Sequence, residues 1–421
     1  MNTILTIDLV TREAVRLFRN SNAFVMSLDR QYDDQYARVG AKIGSQIRIR
    51  LPNDYTVRHG AAASVQDTAE VNTTLTLATQ AGVDVSFSSA DRTLSLDDYS
   101  QRVLAPAVNN LAADVAYTIM SGVDTQGGCC NFVSRLDNNG NVMTPTSLEW
   151  LAAGAALKNN SAPLSDWKIA LDPLTEARTV SSLSGLLNPA PEISRQYRSG
   201  TMYDALGFRW MGDQTVVKHA TGAYSGSAPG IAGTVATGTL TGTVITVNAL
   251  GGPLVAGDIV TFDLVNAVNR LTKQSIGSLR QFVITANAAT NATSINVYPS
   301  IVPNAFTAAQ IAAGPQVYTP VQYQTVDFAP LNGANINVVT LASAIYRKNL
   351  AFAPEAITMA TADLEMPRGV DEVARETFDS LSMRMLTDYV VLTDQLITRL
   401  DLLYGFKYIR PEWVVAVADA P

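Results

Sequence analysis

The sequence predicts an α+β protein with an inserted all-β domain, and three observations lead to this class. Apolar residues recur at helical spacing near the N-terminus and again over 95–121. Apolar and polar residues alternate between 44 and 90, which is typical of strands with one buried face. Between 219 and 334 charged residues become scarce and short β-type runs recur, which favours a small barrel or sandwich.

The first predicted region, 1–43, is an N-terminal arm. One helical face is formed by Ile7, Val10, Ala14 and Leu17. A polar stretch rich in Asp, Arg and Tyr follows this face. The region therefore predicts an amphipathic helix that leads into an irregular connection.

The second predicted region, 44–122, begins with three alternating runs, at 47–51, 71–77 and 83–87. The polar segment 52–70 separates the first two and predicts a long two-stranded projection or a flexible loop. Such a hairpin, like the arm, has too few internal contacts to be stable alone. We therefore expect both to pack on neighbouring subunits.

The clearest helix is predicted over 95–121. Its apolar residues are spaced by three or four, and they are Leu104, Val108, Leu111, Val115 and Ile119. Ser95 and Asp98 resemble a capping box at its start. Pro106 should kink the helix and Gly122 should end it. We expect the bend at Pro106 to be a moving part of the protein, a hypothesis that Pro106→Ala tests.

The third predicted region, 123–218, mixes loops with short elements. Residues 123–145 are loop-like, and a helix is predicted over 147–158. A short strand follows at 167–171, and Asp172-Pro173 is typical of the start of another helix. Turns and short strands fill the rest of the region.

The fourth predicted region, 219–334, is the inserted β domain. It holds six charged residues, namely Asp258, Asp263, Arg270, Lys273, Arg280 and Asp327. Gly, Thr, Ala and Asn dominate the remainder. Charged and apolar residues are again mixed over 335–421. We interpret this segment as the return of the chain to the α+β domain that carries the insertion.

Composition indicates an assembly and argues against direct nucleic-acid binding. Charged residues make up 16% of the 421 residues, against about 25% in an ordinary soluble protein, so much surface should be buried against neighbours. The net charge is -7, and the chain lacks a run of five Lys or Arg residues that could grip phosphates. No apolar run is long enough for a membrane span, and residues 1–18 lack a signal-peptide core, so a cytosolic product is expected.

Catalytic and metal-binding motifs are weak in this sequence. Adjacent Cys129 and Cys130 cannot form an ordinary disulfide framework within one chain, and a thiol nucleophile with His59 or His219 as base is a remote hypothesis. C-x-x-C, H-E-x-x-H, G-x-S-x-G, P-loop and G-x-G-x-x-G patterns are missing. We therefore predict no catalytic residues, no cofactor and no metal site.

Two acidic segments also favour structural roles. The segment Asp137–Asn141 mimics the start of a calcium loop, but Val142 and Leu148 stand where Gly and Glu are required. The pair Asp97-Asp98 fits the first turn of a helix, where carboxylates are favourable.

Four segments, taken in order along the chain, carry a resemblance to one known protein family. The first three are 70–113 with its Leu94-Ser95-Leu96-Asp97-Asp98, 200–208 with its two glycines, and 257–285. The third contains Gly257-Asp258-Ile259-Val260-Thr261-Phe262 and Leu279-Arg280-Gln281-Phe282-Val283-Ile284-Thr285. The last runs from Arg399-Leu400-Asp401-Leu402-Leu403-Tyr404-Gly405 to Arg410-Pro411-Glu412. This ordered set covers most of the chain and resembles the coat proteins of short-tailed Salmonella phages of the P22 type.

The resemblance implies the Hong Kong 97 capsid fold. On this mapping 1–43 is the arm, and 44–122 is the extended E-loop with the peripheral domain and its spine helix. The first part of the axial domain is 123–218, the inserted β domain is 219–334, and 335–421 is the axial and peripheral return.

The resemblance also implies the function of a major capsid protein. Copies would assemble through pentamers and hexamers into an icosahedral shell around phage double-stranded DNA, in the host cytoplasm, and remain in the virion. The implied partners are a scaffolding protein, a portal protein at one vertex and possible decoration proteins, with no membrane and no sequence-specific DNA binding. The inserted domain would aid subunit folding and contact neighbouring capsomers.

Several alternatives stay open. A tail or fibre protein would also be rich in β structure, and an unrecognised hydrolase is the less favoured alternative. The alternative for the inserted domain is a glycan-binding module, since its low charge fits either role. Some capsids of this fold form Lys–Asn isopeptide crosslinks from the E-loop. Residues 43–96 contain no Lys, so we predict that mature particles show no covalent ladders on a denaturing gel.

Overall fold

The computed structural model describes most of the chain, and its contacts divide it into two compact units. The described residues are 7–30, 46–52, 55, 57, 59–63, 65, 72–88, 103–183, 204–224, 231–236, 241–305, 323–378, 381–393 and 395–421. Unit 1 comprises 1–50, 72–119 and 357–409, and unit 2 comprises 51–71, 120–356 and 410–421. The predicted division into five regions stays a prediction. These contacts group 357–409 with N-terminal segments of the chain.

The structure is α+β, as predicted. The α-helices among the described residues are α1 (Ile7–Ser21), α2 (Ala23–Met26), α3 (Ala105–Thr125), α4 (Ser147–Asn159) and α5 (Pro173–Leu183). The strands are β1 (Gln46–Arg50), β2 (Asn72–Thr76), β3 (Thr79–Ser88), β4 (Asn131–Val133), β5 (Arg135–Leu136), β6 (Val142–Met143), β7 (Lys168–Leu171), β8 (Asp204–Ala205), β9 (Phe208–Gly212), β10 (Lys218–Ala220), β11 (Ile231–Thr234), β12 (Gly242–Thr246), β13 (Ile259–Val268), β14 (Ser275–Ile284), β15 (Ser294–Ile301), β16 (Pro303–Ala305), β17 (Val326–Phe328), β18 (Asn335–Val338), β19 (Ile345–Phe352), β20 (Ile357–Ala362), β21 (Glu372–Phe378), β22 (Leu381–Val390), β23 (Gln395–Tyr408) and β24 (Val414–Asp419).

Unit 1 is built on an antiparallel sheet ordered β20-β23-β22-β21, with β3 also paired to β23. The long strand β23 pairs with β3 through residues 395–404. A separate two-stranded sheet joins β1 to β2, and its buried Ile47 and Ile49 alternate with exposed Arg48 and Arg50. The predicted alternation therefore corresponds to real strands with one buried face.

Unit 2 contains a seven-stranded mixed sheet ordered β4-β24-β19-β7-β9-β8, with β10 paired to β19. Trp150 of α4 packs edge-on against Trp210 of β9, with ring centroids 5.0 Å apart. Helix α4 begins with a capping box between Thr146 and Glu149, which satisfies amide groups at its first turn. The helix predicted over 147–158 is thus confirmed within one residue at its end.

An eight-stranded sheet formed by β11 to β18 lies, in sequence, between β10 and β19, and we call it the inserted sheet. Its strands are antiparallel except for the pair β16 and β17. Its core is apolar throughout and includes Val260, Phe262, Phe282 and Ile336, all fully buried. These strands lie largely within the low-charge segment 219–334, for which the sequence predicts β structure.

Helix α3 departs from the prediction at its C-terminal end. The predicted helix ends at Gly122, but α3 continues to Thr125. The amide of Gly128 donates to the carbonyl of Val123, and Gly127 has a positive φ of 62°. This pattern is a Schellman motif, so the left-handed glycine ends the helix one turn later than predicted.

The start of the same helix is described only in part. Val103 and Leu104 are π-helical, and α3 begins at Ala105, which places Pro106 in the first described α-turn. The predicted capping pair Ser95 and Asp98 lies outside the described residues.

Residues 123–145, expected to be loops, contain the short strands β4, β5 and β6. Strand β4 pairs in parallel with β24, near the C-terminus. A pairing over such a sequence distance leaves no local pattern, which explains why the prediction was wrong here.

Candidate functional site

A buried cluster of charged side chains in unit 2 lies where the chain leaves for the inserted sheet and returns from it. Strands β10 and β19 pair antiparallel, and His219 stands opposite Tyr346. The end of α3 contributes Asp124, and the turn before β13 contributes Asp258. With Lys348 of β19 these residues form what we call the junction cluster: Asp124, His219, Asp258 and Lys348.

His219 connects the two carboxylates of the junction cluster. Its Nδ1 lies 3.0 Å from Asp124 Oδ2, and its Nε2 lies 2.9 Å from Asp258 Oδ1. Lys348 Nζ donates to Asp124 Oδ1 at 2.5 Å and to the carbonyl of Gly257 at 2.8 Å. Each carboxylate therefore contacts at least one nitrogen donor that is distant in sequence.

Asp258 is fully buried and satisfied on both oxygens. Its Oδ2 accepts the amide N–H of Val255 at 2.8 Å and that of Gly222 at 3.2 Å. A buried charge is tolerated only when it is paired and hydrogen-bonded, and both conditions hold here. The neighbouring Gly257 has a φ of 95°, and a Cβ there would overlap Asp124 Oδ1 and lie 2.9 Å from His219 Cε1. The cluster therefore requires glycine at this position.

The charges of the junction cluster shift one another's pKa values. Burial opposes ionisation of Asp124, but Lys348 and His219 outweigh it and lower the pKa of Asp124 to about 2. For His219, burial and the Lys348 charge oppose protonation. Hydrogen bonds to Asp124 and Asp258 outweigh both effects, so the pKa of His219 is raised. Burial first, and the two carboxylates after it, raise the pKa of Tyr346 well above its ordinary range.

An open cavity of about 530 Å³ lies beside the cluster. It is lined by Asp124, Thr125, Lys218, His219, Ala220, Val255, Ala256 and Asn287. The Asp124 side chain is 20% exposed, whereas those of His219 and Asp258 are almost fully buried. Solvent therefore reaches one side of the cluster.

The thiol candidates are not placed for catalysis. Cys129 and Cys130 are buried and free, and Cys129 Sγ donates to the carbonyls of Asn131 and Val414. Burial raises the pKa of Cys129 to about 11 and raises that of Cys130 further. Because the thiolate is the nucleophile, such thiols are inert. Both nitrogens of His219 are occupied by carboxylates.

The acidic candidates have structural contacts where they are described. Asp137 Oδ1 accepts the amides of Asn139 and Asn141, and its Oδ2 accepts the Asn141 side chain. These bonds close the turn between β5 and β6, and the side-chain bond from Asn141 is the main cause of the lowered pKa of Asp137. Asp97-Asp98 lies outside the described residues. Among those that are described, no group of three His, Cys, Asp or Glu side chains could hold a metal ion.

The junction cluster is not predicted from the sequence. Sequence patterns present His219 only as a candidate catalytic base and Asp258 only as one of six charges in the inserted segment. The scarcity of charged residues in the inserted segment is the signal that could have indicated the cluster, because a charge in an otherwise uncharged β segment needs a partner.

Large exposed apolar side chains occur in both units. In unit 1, Val391 and Leu392 at the turn between β22 and β23 are 79% and 96% exposed. In unit 2, Leu148 and Leu151 lie three residues apart on α4 and are both exposed, as is Leu264 in the inserted sheet. Neighbouring exposed apolar residues mark surfaces that bind other molecules. No helix in the described part of the chain is long and apolar enough to span a bilayer.

Comparisons with known proteins point to phage coats. A family model described as "P22 coat protein - gene protein 5" matches residues 26–417. The search of curated proteins finds no match. The chain is similar to a solved structure from Mycobacterium phage Che8, with TM-score 0.45, 12% identity, and coverage of 94% of this chain and 90% of that one.

Two further solved capsid structures show comparable similarity. The capsid of cyanophage P-SCSP1u has TM-score 0.44 and 10% identity, covering 90% of this chain and 84% of that one. The capsid of Ralstonia phage GP4 has TM-score 0.42 and 8% identity, covering 94% and 87%. Because these similarities are modest, the family match carries the assignment.

Proposed function

This chain belongs to the P22 coat-protein family, and we propose that its copies assemble through pentamers and hexamers into an icosahedral shell around phage double-stranded DNA. The family match over residues 26–417 is the observation that carries this proposal, because it spans both compact units. It identifies a major capsid protein of a tailed phage, with the Hong Kong 97-type fold, located in the virion capsid.

The proposed mechanism is repeated contact between different surfaces of identical subunits. Such heterologous contacts close into rings when the rotation permits. Each contact can be modest, since every subunit makes many of them at once. The exposed apolar turn at Val391 and Leu392 and the exposed face of α4 supply surfaces of this kind.

Assembly partners form the finer part of the proposal. We propose a scaffolding protein during assembly in the host cytoplasm, a portal protein at one vertex and possible decoration proteins. The net charge of -7 is compatible with a shell that encloses DNA without binding it tightly. We also propose that the protein is not an enzyme, a view supported by the buried thiols with raised pKa values.

For the inserted domain we favour a role in folding and in contacts between capsomers over glycan binding. Phe262 and Phe282 are fully buried and pack edge-on at 5.3 Å, and Tyr224 is also buried. Aromatic rings that bind sugars must be accessible, so these rings serve the core instead.

The test is negative-stain electron microscopy of the purified protein, expressed with and without its scaffolding partner. Uniform hollow spheres with the partner, and irregular shells or tubes without it, are expected. A stable monomer or small oligomer under all conditions would contradict the proposal and favour a tail or fibre protein.

A matched pair of variants addresses the contact surface. The double change Val391→Ser and Leu392→Ser should reduce shell yield while leaving the subunit folded, because both side chains are exposed. Thr393→Ser in the same exposed turn is the control and should assemble like the wild type.

A further inference from the structure

The hydrogen-bond geometry of the junction cluster determines the protonation state of His219. Both ring nitrogens lie within hydrogen-bond distance of carboxylate oxygens, at 3.0 Å and 2.9 Å. An ionised carboxylate only accepts, and a neutral imidazole carries a single N–H. With both carboxylates ionised, both contacts can be hydrogen bonds only if His219 is an imidazolium.

Further donors surround both carboxylates and favour charge on their oxygens. Asp258 Oδ2 accepts two backbone amides in addition to the His219 contact on Oδ1. Asp124 Oδ1 accepts the ammonium group of Lys348. A neutral ring nitrogen could accept a proton from a carboxyl group, but imidazole is a stronger base than a carboxylate. The proton therefore resides on the imidazole.

The cluster joins four segments that are distant in sequence. Asp124 lies at the end of α3, and His219 lies on β10, where the chain departs for the inserted sheet. Asp258 precedes β13 of the inserted sheet, and Lys348 lies on β19 after the return. We propose that His219 is a proton-controlled latch that holds the base of the inserted sheet to α3 and to the β10–β19 pair.

The charge balance explains why loss of one proton would open the latch. Two carboxylates are balanced by the imidazolium and the Lys348 ammonium, so deprotonation leaves one uncompensated negative charge. One ring nitrogen then presents a lone pair to a carboxylate oxygen, which is repulsive. The other nearby titratable groups include Tyr346, whose ring centroid is 5.5 Å from that of His219, and Cys129, whose pKa is affected by the charges of Lys348 and Asp124. Tyr224 is also buried nearby, and burial and then the charge of Asp258 raise its pKa. Lys218 precedes His219 on β10 and is exposed.

The direction of the pH effect follows from linkage. The pKa of His219 is raised in the folded protein, so the bound proton stabilises the fold. This stabilisation is fully present below the unfolded pKa of about 6.5 and is lost as pH rises through the folded pKa. The open cavity beside the cluster gives solvent a route to the site.

The first test needs no variant at the site. NMR of ¹³C-histidine in the unassembled subunit should resolve two residues, and His59→Gln identifies the His219 signal by elimination. We expect the His219 signal to titrate with a midpoint above 6.5. A midpoint below that value would overturn the proposal.

The second test follows the latch itself by hydrogen exchange. The amides of Gly222 and Val255 donate to Asp258 and should be protected at low pH. Between about pH 6.5 and the His219 midpoint, their opening constant should rise by up to about tenfold per pH unit, because one proton is linked to opening, and above the midpoint it should level off. The amide of Val235, which donates to the carbonyl of Ala334 in the core of the inserted sheet, is the internal reference.

The variant His219→Gln completes the design. Glutamine donates and accepts but cannot carry the charge, so the slope with pH should disappear. His59→Gln, at an exposed position, should keep the wild-type slope. The same slope in His219→Gln as in the wild type would overturn the proposal. If that variant does not fold, the wild-type titration still decides the matter.

Discussion

The inserted sheet and the neighbouring junction cluster bury different kinds of side chains. The core of the inserted sheet consists of apolar side chains such as Phe262 and Phe282, which need only to be removed from water. The junction cluster buries charges, each of which needs a specific partner. An apolar core tolerates a change by repacking, whereas a charge cluster that loses one member leaves the rest uncompensated. The junction cluster is therefore the more sensitive of the two regions to a single substitution.

The largest loss of unfolding free energy is expected for Asp258→Ala. A small loss would contradict the view that the junction cluster is the more sensitive region. The change leaves one His219 nitrogen and two backbone amides without their acceptor in a buried site. Removing one partner of a buried ion pair costs about 4 kcal/mol. Urea unfolding measures the loss, and Asp204→Ala, at an exposed position, is the control with an expected change within about 0.5 kcal/mol.

The next effect is expected for Phe262→Ala in the core of the inserted sheet. Phe262 is fully buried, and its loss leaves a cavity beside Phe282. We expect a cost of about 3 kcal/mol, at the lower end for such changes because neighbouring apolar side chains can relax into the space. Phe328→Ala, at a side chain 49% exposed, should cost far less. A larger loss for Phe262→Ala than for Asp258→Ala would reverse the ranking of the two regions.

A smaller effect is expected where α3 ends, just before the two cysteines. Gly127→Ala places a Cβ 2.7 Å from Thr285 Cγ2 at a residue with φ of 62°. The left-handed backbone alone costs about 1 to 2 kcal/mol. Gly333→Ala has a similar φ of 82° but open space around the new Cβ, so it isolates the backbone cost. Equal unfolding midpoints for the two variants would show that the contact with Thr285 is unimportant.

The smallest effect is expected from thiol reagents on the folded protein. Cys129 and Cys130 are fully buried, and burial raises both thiol pKa values, that of Cys129 to about 11. Iodoacetamide at neutral pH should therefore modify neither residue until the protein unfolds. Mass spectrometry before and after urea treatment measures this. Rapid labelling of the native protein would show that the region around the cysteines opens.

Local patterns were sufficient for many elements of the fold. The helix α4 and the start of α5 at Pro173 follow from spacing and capping residues. The alternation of Ile47 and Ile49 with arginines predicts β1. These signals are local, because helix caps and strand alternation depend on neighbours a few residues away.

Other features could not be predicted from local patterns. The end of α3 was placed at Gly122 because glycine is typical of a helix end, but the left-handed conformation falls on Gly127. Strand β4 was missed because its partner β24 lies near the other end of the chain.

The sequence by itself determined the α+β class, the low-charge β segment and, through the resemblance, the coat-protein family. It also indicated that Cys129 and Cys130 form no disulfide framework within the chain. Only the tertiary structure decided that Asp124, His219, Asp258 and Lys348 meet in one cluster. The physical reason is that apolar burial is periodic along the chain and leaves a pattern. A buried charge, in contrast, is explained only by partners that folding brings from elsewhere.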